Sequence, residues 1–265
     1  MKMKFLDMHS HIFPPGVAEK VISVLENYYG SRWSGTGELD DLLRSLRQAH
    51  ISRSVIFSSA TKPSQVVPIN NFVSRIQEQY PELFTAFGTL HPDFPDYKAE
   101  IRRIRELGLK GLKFHPDFQQ FHIDDPRMDG IYREAGSSLP LLFHVGDSST
   151  QFSKPERLLK IHRKFPDLKL IAAHMGGYSE WDQSWKYLIG TDIWLDLSST
   201  IKFIGPQEVR RMAEAHGTDR ILFASDYPGT GHRKAVEEVL SLGFSDEDNE
   251  KIFYRNAEKL LGISL

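Results

Sequence analysis

The sequence predicts an α/β chain folded as a (β/α)8 TIM barrel, a single domain over residues 1–265. Three observations predict it. Eight short β-type runs recur along the 265 residues, helical patterns alternate with them, and no glycine-rich phosphate loop follows any run. The first run, "KFLDM" at 4–8, leads into "HSHIFPPG", where Pro14 and Pro15 end the strand pattern. "RSVIF" at 53–57, "FTAFGTL" at 84–90 and "KGLKF" at 110–114 follow, then "PLLFHV" at 140–145, "LKLIAA" at 168–173, "IWLDL" at 193–197 and "RILFA" at 220–224. Most of these residues are Val, Ile, Leu, Phe or Ala, the composition of parallel strands covered on both faces.

Between the runs, "ELDDLLRSLRQA" places Leu39, Leu42, Leu43 and Leu46 on one helical face. "PINNFVSRIQEQY" opens with Pro68, suited to a first helical turn, and "AEIRRIRELG" ends at Gly108, a natural C-cap. Further helices are predicted over 126–136, 154–165, 180–189, 206–216 and 231–242, with one more over 246–261 after the last unit. "GSRWSGTG" at 30–37 reads as a loop inside the first unit. An open doubly wound sheet is the alternative; the absence of GxGxxG and GxxxxGK[ST] removes the phosphate loops that would favour it.

Lys plus Arg number 33 and Asp plus Glu 35, a net charge of −2 with no cluster of five or more like charges, which argues against nucleic acid and acidic membrane surfaces as partners. The absence of cysteine excludes disulfides, thiolate ligands and a cysteine nucleophile, and fits a reducing compartment. Asp7 interrupts the first apolar run too early for a signal peptide, and no apolar stretch approaches the roughly 18 residues of a membrane span. The expectation is a cytoplasmic, soluble protein acting on a small molecule.

Six of the eleven histidines fall at predicted strand ends, where a barrel collects its function: His9, His11, His91, His115, His144 and His174. In "DMHSH", strand periodicity sets His9 and His11 on one face with Cα atoms about 6.6 Å apart. Converging imidazoles can close that to the roughly 3.4 Å between two nitrogens bound tetrahedrally to one zinc. The eighth run ends in "FASDYPG", which brings Asp226 to the same rim. With His144, these residues make three imidazoles and one carboxylate, a donor set for zinc, manganese or iron.

The series "DMHSH", "FHVGD", "AAHMGG" and "RILFASDYP", at strands one, five, six and eight and spanning essentially the whole chain, resembles the amidohydrolase superfamily, and within it the amidohydrolase-related branch of metal-dependent hydrolases and nonoxidative decarboxylases. The resemblance implies one divalent metal per chain, zinc first, with manganese or iron as alternatives, held by His9, His11, His144 and Asp226. It implies that His174 stands beside the metal as a catalytic residue or further ligand. Lys113, in "GLKFHP", sits where binuclear members carry a carboxylated lysine between two metals. A lysine paired with a rim carboxylate is the alternative, so Lys113 and His115 are expected to line the site. Asp7 either orients a ligand imidazole through its second nitrogen or is a buried structural carboxylate. Arg32 and Arg233, near the expected mouth, are candidates to hold a substrate carboxylate, or else solvated surface.

The expected reaction is hydrolysis of an amide, ester or lactone by a metal-activated water, with Asp226 as general base and His174 polarising the carbonyl. The alternative is decarboxylation of an aromatic or muconate-type acid at the same site. A Ser-His-Asp hydrolase and a HExxH metalloprotease are disfavoured because neither GxSxG nor HExxH occurs. An inert structural metal is disfavoured because a barrel-mouth site leaves a coordination position open.

Overall fold

Eight parallel strands run through the computed structural model, which describes residues 3–265: β1 (Leu6–His11), β2 (Arg53–Phe57), β3 (Phe84–Ala86), β4 (Leu112–Phe114), β5 (Leu141–Phe143), β6 (Leu170–Ala172), β7 (Trp194–Asp196) and β8 (Ile221–Leu222). Helices α1 (Ala18–Tyr29) and α2 (Leu39–Gln48) follow β1, and α3 (Val66–Gln79) and α4 (Tyr97–Glu106) follow β2 and β3. After β4 come α5 (Pro116–Gln119) and α6 (Asp129–Ala135). Then α7 (Pro155–Lys164), α8 (Trp181–Tyr187), α9 (Ile201–His216) and α10 (His232–Leu240) follow successive strands, with α11 (Asp246–Glu250) and α12 (Asn256–Leu261) at the end.

Pairing is parallel in the order β1-β2-β3 and β4-β5-β6-β7-β8, and backbone hydrogen bonds carry the ring across both seams. At one seam Gly88 N–H donates to Gly111 and Lys113 N–H to Gly88; at the other Met8 N–H donates to Phe223, Asp226 N–H to His9 and His11 N–H to Tyr227. The predicted barrel is therefore present. Alternation along the strands divides the core. Leu112, Phe114, Leu141, Phe143, Leu170 and Ala172 pack outward with helix residues such as Ile101, Ile104, Leu158 and Ile161. Leu6, Met8, Val55, Phe57, Leu142, Ile171 and Leu222 form a second, inner cluster, onto which Ala257, Leu260 and Leu261 of α12 pack.

Continuing this alternation one step past the inner cluster turns Lys113, His144, Asp196 and Asp226 inward at one end of the barrel. β1 reaches the same result by a different route. Its register against β2 shifts between Asp7 and Ser10, so that Leu6 and Met8 belong to the inner cluster and yet His9 also faces the site.

Helix α1 differs from the sequence reading, which assigned no helix there. Its spacing of Val21, Val24, Leu25 and Tyr28 is helical, but only Ala18 of the helix is buried. The apolar stripe is turned toward a cavity rather than the core. Helix α9 begins at Ile201, five residues before the expected start, and Gly205, at φ 78°, breaks it just before Pro206. Among the described residues no helix is long and apolar enough to cross a membrane.

Candidate active site

Three of the four expected ligands meet at the barrel rim. His9 Nε2 lies 3.2 Å from His11 Nε2 and 3.3 Å from Asp226 Oδ1, and His11 Nε2 lies 3.6 Å from the same oxygen. These separations match the roughly 3.4 Å between two donors on one tetrahedral ion, so the group fits a divalent metal. The expected fourth ligand, His144, is not in this group. Its Nδ1 is 3.0 Å from His174 Nε2, and its Nε2 faces Asp117 instead.

Strand β7 orients two of the imidazoles. Asp196 Oδ2 accepts from His9 Nδ1 at 2.8 Å, which leaves His9 Nε2 as a lone pair directed at the group. Asp196 Oδ1 accepts from the His174 backbone N–H and from the Ser198 hydroxyl. His174 Nδ1 in turn donates to the Ser198 carbonyl at 3.0 Å. Ser199 Oγ donates to Asp226 Oδ2 at 2.6 Å and leaves Oδ1 facing the histidines. Four non-glycine residues here, His174, Met175, Ser199 and Asp226, hold φ between 45° and 63°. Such left-handed backbone costs on the order of 1–3 kcal/mol per residue and collects at sites whose geometry the surrounding structure enforces.

Burial lowers His11 and His174 to about 4, so both are neutral imidazoles near pH 7. Burial also opposes ionisation of Asp226, but the hydrogen bond from His11 and the neighbouring imidazoles outweigh it and hold this carboxyl well below its ordinary range. The same competition, with His9 as the partner, sets Asp196 at about 2. Neutral nitrogens beside an ionised carboxylate are the protonation states that metal binding requires. Lys113 is buried, its Nζ 3.4 Å from His9 Nε2 and 5.0 Å from the Phe57 ring centre, and burial brings it down to about 8. His115 stacks on His144 at 4.1 Å and bonds Tyr29.

Asp7 is the buried structural carboxylate, not the orienting group. The register shift in β1 turns it away from the imidazoles, and it accepts from Ser10, Ser54 and Ser225 and pairs with His232 at 3.2 Å. Arg32 is exposed, and Arg233, on α10, pairs with Glu237 in solvent; neither lines the site. His91 stands apart, with its Nδ1 bonded to the Asp93 backbone N–H.

A cavity of about 390 Å³ opens onto the metal-type group. Tyr29, Trp33, Phe118 and Tyr178 supply aromatic wall, and Val17, Val21, Val24 and Leu25 of the α1 region supply aliphatic wall. Lys113, Lys20 and Lys202 line it, and Asp226 is its sole acidic residue among those described. The sequence reading passed over Asp196, although an acid inside "IWLDL", two residues beyond inward Trp194, was a readable signal.

The sequence matches the family described as amidohydrolase over residues 6–263. Among solved structures, an uncharacterized TIM-barrel protein from Bordetella bronchiseptica superposes with a TM-score of 0.79 at 18% identity, covering 98% of this chain and 99% of that one. A dihydroxybenzoic acid decarboxylase from Polaromonas, with manganese and 2-nitroresorcinol bound, gives 0.76 at 16% identity, covering 98% and 97%. The 5-carboxyvanillate decarboxylase of Sphingomonas paucimobilis gives 0.72 at 14%, covering 99% and 100%.

Proposed function

The chain belongs to the amidohydrolase family, and from that membership we propose that it is a metal-dependent lyase, a nonoxidative decarboxylase of an aromatic or similarly planar unsaturated carboxylic acid. The observation that carries this reading is the cavity, whose aromatic walls suit a flat ligand and whose three lysines against one carboxylate suit an anion. The two decarboxylases of the same fold support it.

His9, His11 and Asp226 would hold the divalent ion, manganese as in the Polaromonas relative or zinc. Bound there, the ion would supply positive charge to polarise an oxygen-bearing substrate. The chain's own residues do the rest. Tyr29, Trp33, Phe118 and Tyr178 enclose the ring and exclude water, and the Lys113 ammonium at the cavity floor pairs with the anionic substrate. His174 Nε2 and His144 Nδ1 share one hydrogen across 3.0 Å, and both residues line the cavity. In the reaction the bond between the ring carbon and the carboxylate breaks and its electron pair stays on the carbon. That carbon takes a proton from the histidine pair, the pair takes one from solvent and so returns to its neutral state, and carbon dioxide departs.

The manganese-loaded chain is expected to release carbon dioxide from members of a panel of hydroxybenzoic and muconate-type acids, followed by gas release or loss of ultraviolet absorbance. A chain that leaves every acid intact yet cleaves esters, amides or lactones is a hydrolase.

A further inference from the structure

Helix α1 lies at the mouth of the cavity without being packed into the core. Val17, just before it, and Val21, Val24 and Leu25 within it recur at i, i+4, i+7 and i+8, one apolar stripe, and all four line the cavity. Polar ties at its far end hold the helix there. The Tyr28 hydroxyl donates to Asp147 Oδ2 at 2.8 Å, the Tyr29 hydroxyl bonds His115 Nε2 at 3.0 Å, and Glu26 accepts from the Trp33 N–H at 2.8 Å. An amphipathic helix ordinarily buries such a stripe against a core, yet only Ala18 of α1 is buried. The stripe is left open to the cavity.

Phe203 of α9 lines the same cavity, packed edge-on to Tyr178 and tilted against Trp181, each at 5.8 Å between ring centres. It is held in place and still 51% exposed, while Val17 is 47% and Val24 54% exposed. Six large apolar side chains are exposed among the described residues, and these three line the one cavity. Single exposed apolar residues are ordinary surface, whereas a cluster at the entrance to a reaction centre marks a surface that a ligand covers. The cavity, at about 390 Å³, also falls in the range of roughly 300–1,000 Å³ that holds drug-sized ligands. That is more space than one ring and its carboxylate need.

We propose that the α1 stripe and Phe203 form a subsite for an apolar substituent, so that the acid taken by this cavity carries an alkyl chain on the side of the ring remote from its carboxylate. The proposal rests on the decarboxylase reading for the ring and the carboxylate; the chain is assigned from the stripe. With the carboxylate at Lys113 and the ring between the four aromatic walls, a chain directed outward meets the partly buried Val21 and Leu25 first and the exposed Val17, Val24 and Phe203 after them. A second copy of the chain would cover the outer three and leave the inner two facing empty space. Each methylene moved from water onto this wall strengthens binding about threefold to fourfold.

The test is the Kd of 2-hydroxybenzoic acid and of its 4-alkyl and 5-alkyl derivatives, methyl to butyl, for the manganese-loaded chain by calorimetry, with carbon dioxide release followed on the same acids. In at least one of the two series Kd should fall about threefold per methylene. Val21→Thr combined with Leu25→Asn should flatten that series at unchanged circular dichroism. Val21→Ile combined with Leu25→Met keeps the wall apolar and should preserve it. If the polar pair does not fold, Leu25→Asn alone and the wild-type series still decide. Two flat series, or a failure of every acid to bind, overturn the proposal, as does a dependence on chain length that the polar pair leaves intact. Flat series in a chain that dimerises as its concentration rises, and that Val24→Asp keeps monomeric, overturn it in favour of a second copy. Dependence on chain length without gas release supports the subsite and contradicts the decarboxylase reading. Gas release with flat series does the reverse, so the two fail separately.

Discussion

Asp226→Asn is expected to lower kcat/KM by at least about 10² and to release the ion held with His9 and His11, while the barrel stays folded. The change keeps the side chain's volume but removes its charge, and it can set an amide N–H₂ where Oδ1 now lies 3.3 Å from His9 Nε2 and 3.6 Å from His11 Nε2. Neither nitrogen, as a lone pair turned to a metal, tolerates that exchange without losing the ion's anionic ligand. The backbone is spared, because Asp226 is tied to β1 through its N–H and the His9 carbonyl rather than through the carboxylate. Its left-handed φ of 63° is one that asparagine adopts readily. Activity, circular dichroism and metal content measured together check the result. His162→Asn, on α7 and remote from the rim, should change none of them; equal loss there would contradict the assignment of function to the strand ends.

His174→Asn should be nearly as damaging by a different route, a loss of about 10² to 10⁴ in kcat with the ion at His9, His11 and Asp226 retained. His174 donates Nδ1–H to Ser198 and faces His144 through Nε2, so its removal breaks the pair that passes a solvent proton to the substrate carbon. It stands outside the group formed by His9, His11 and Asp226, so metal content should hold. Asparagine also suits the φ of 60° at this position. Loss of the ion along with activity would instead make His174 a ligand.

The barrel and the rim histidines were legible because parallel strands buried on both faces leave a plain mark, near-continuous apolar runs, and a polar residue closing such a run stands at the mouth. His9, His11 and Asp226 are of this kind. Asp196 was harder. Its partner His9 is 187 residues away, and only closure of the ring brings β7 beneath β1. Asp7 looked equivalent to His9 by the two-residue period, and a register shift that no composition announces separated them. Helix α1 hid for another reason: its apolar stripe faces a cavity, so the stretch lacks the buried face that marks core helices. Arg32 and Arg233 were chosen for charge near the mouth, yet the cations that line the cavity are lysines. Lys20 and Lys202 sit on helices at its edge, and Lys113 belongs to a strand whose alternation turns it inward.

The central claim is that this site removes carbon dioxide rather than adding water, and the fate of solvent atoms in the product tests it most directly. Decarboxylation in deuterium oxide should give a product with one deuterium at the carbon that carried the carboxylate, and in oxygen-18 water that product should gain no solvent oxygen. Hydrolysis would install one oxygen-18 in a new carboxylate for each bond cleaved, after correction for exchange, and leave carbon unlabelled. Carbon deuteration without oxygen uptake is the predicted result; an oxygen label with no deuterium at carbon would contradict the account and return the same residues to the hydrolysis first expected of them.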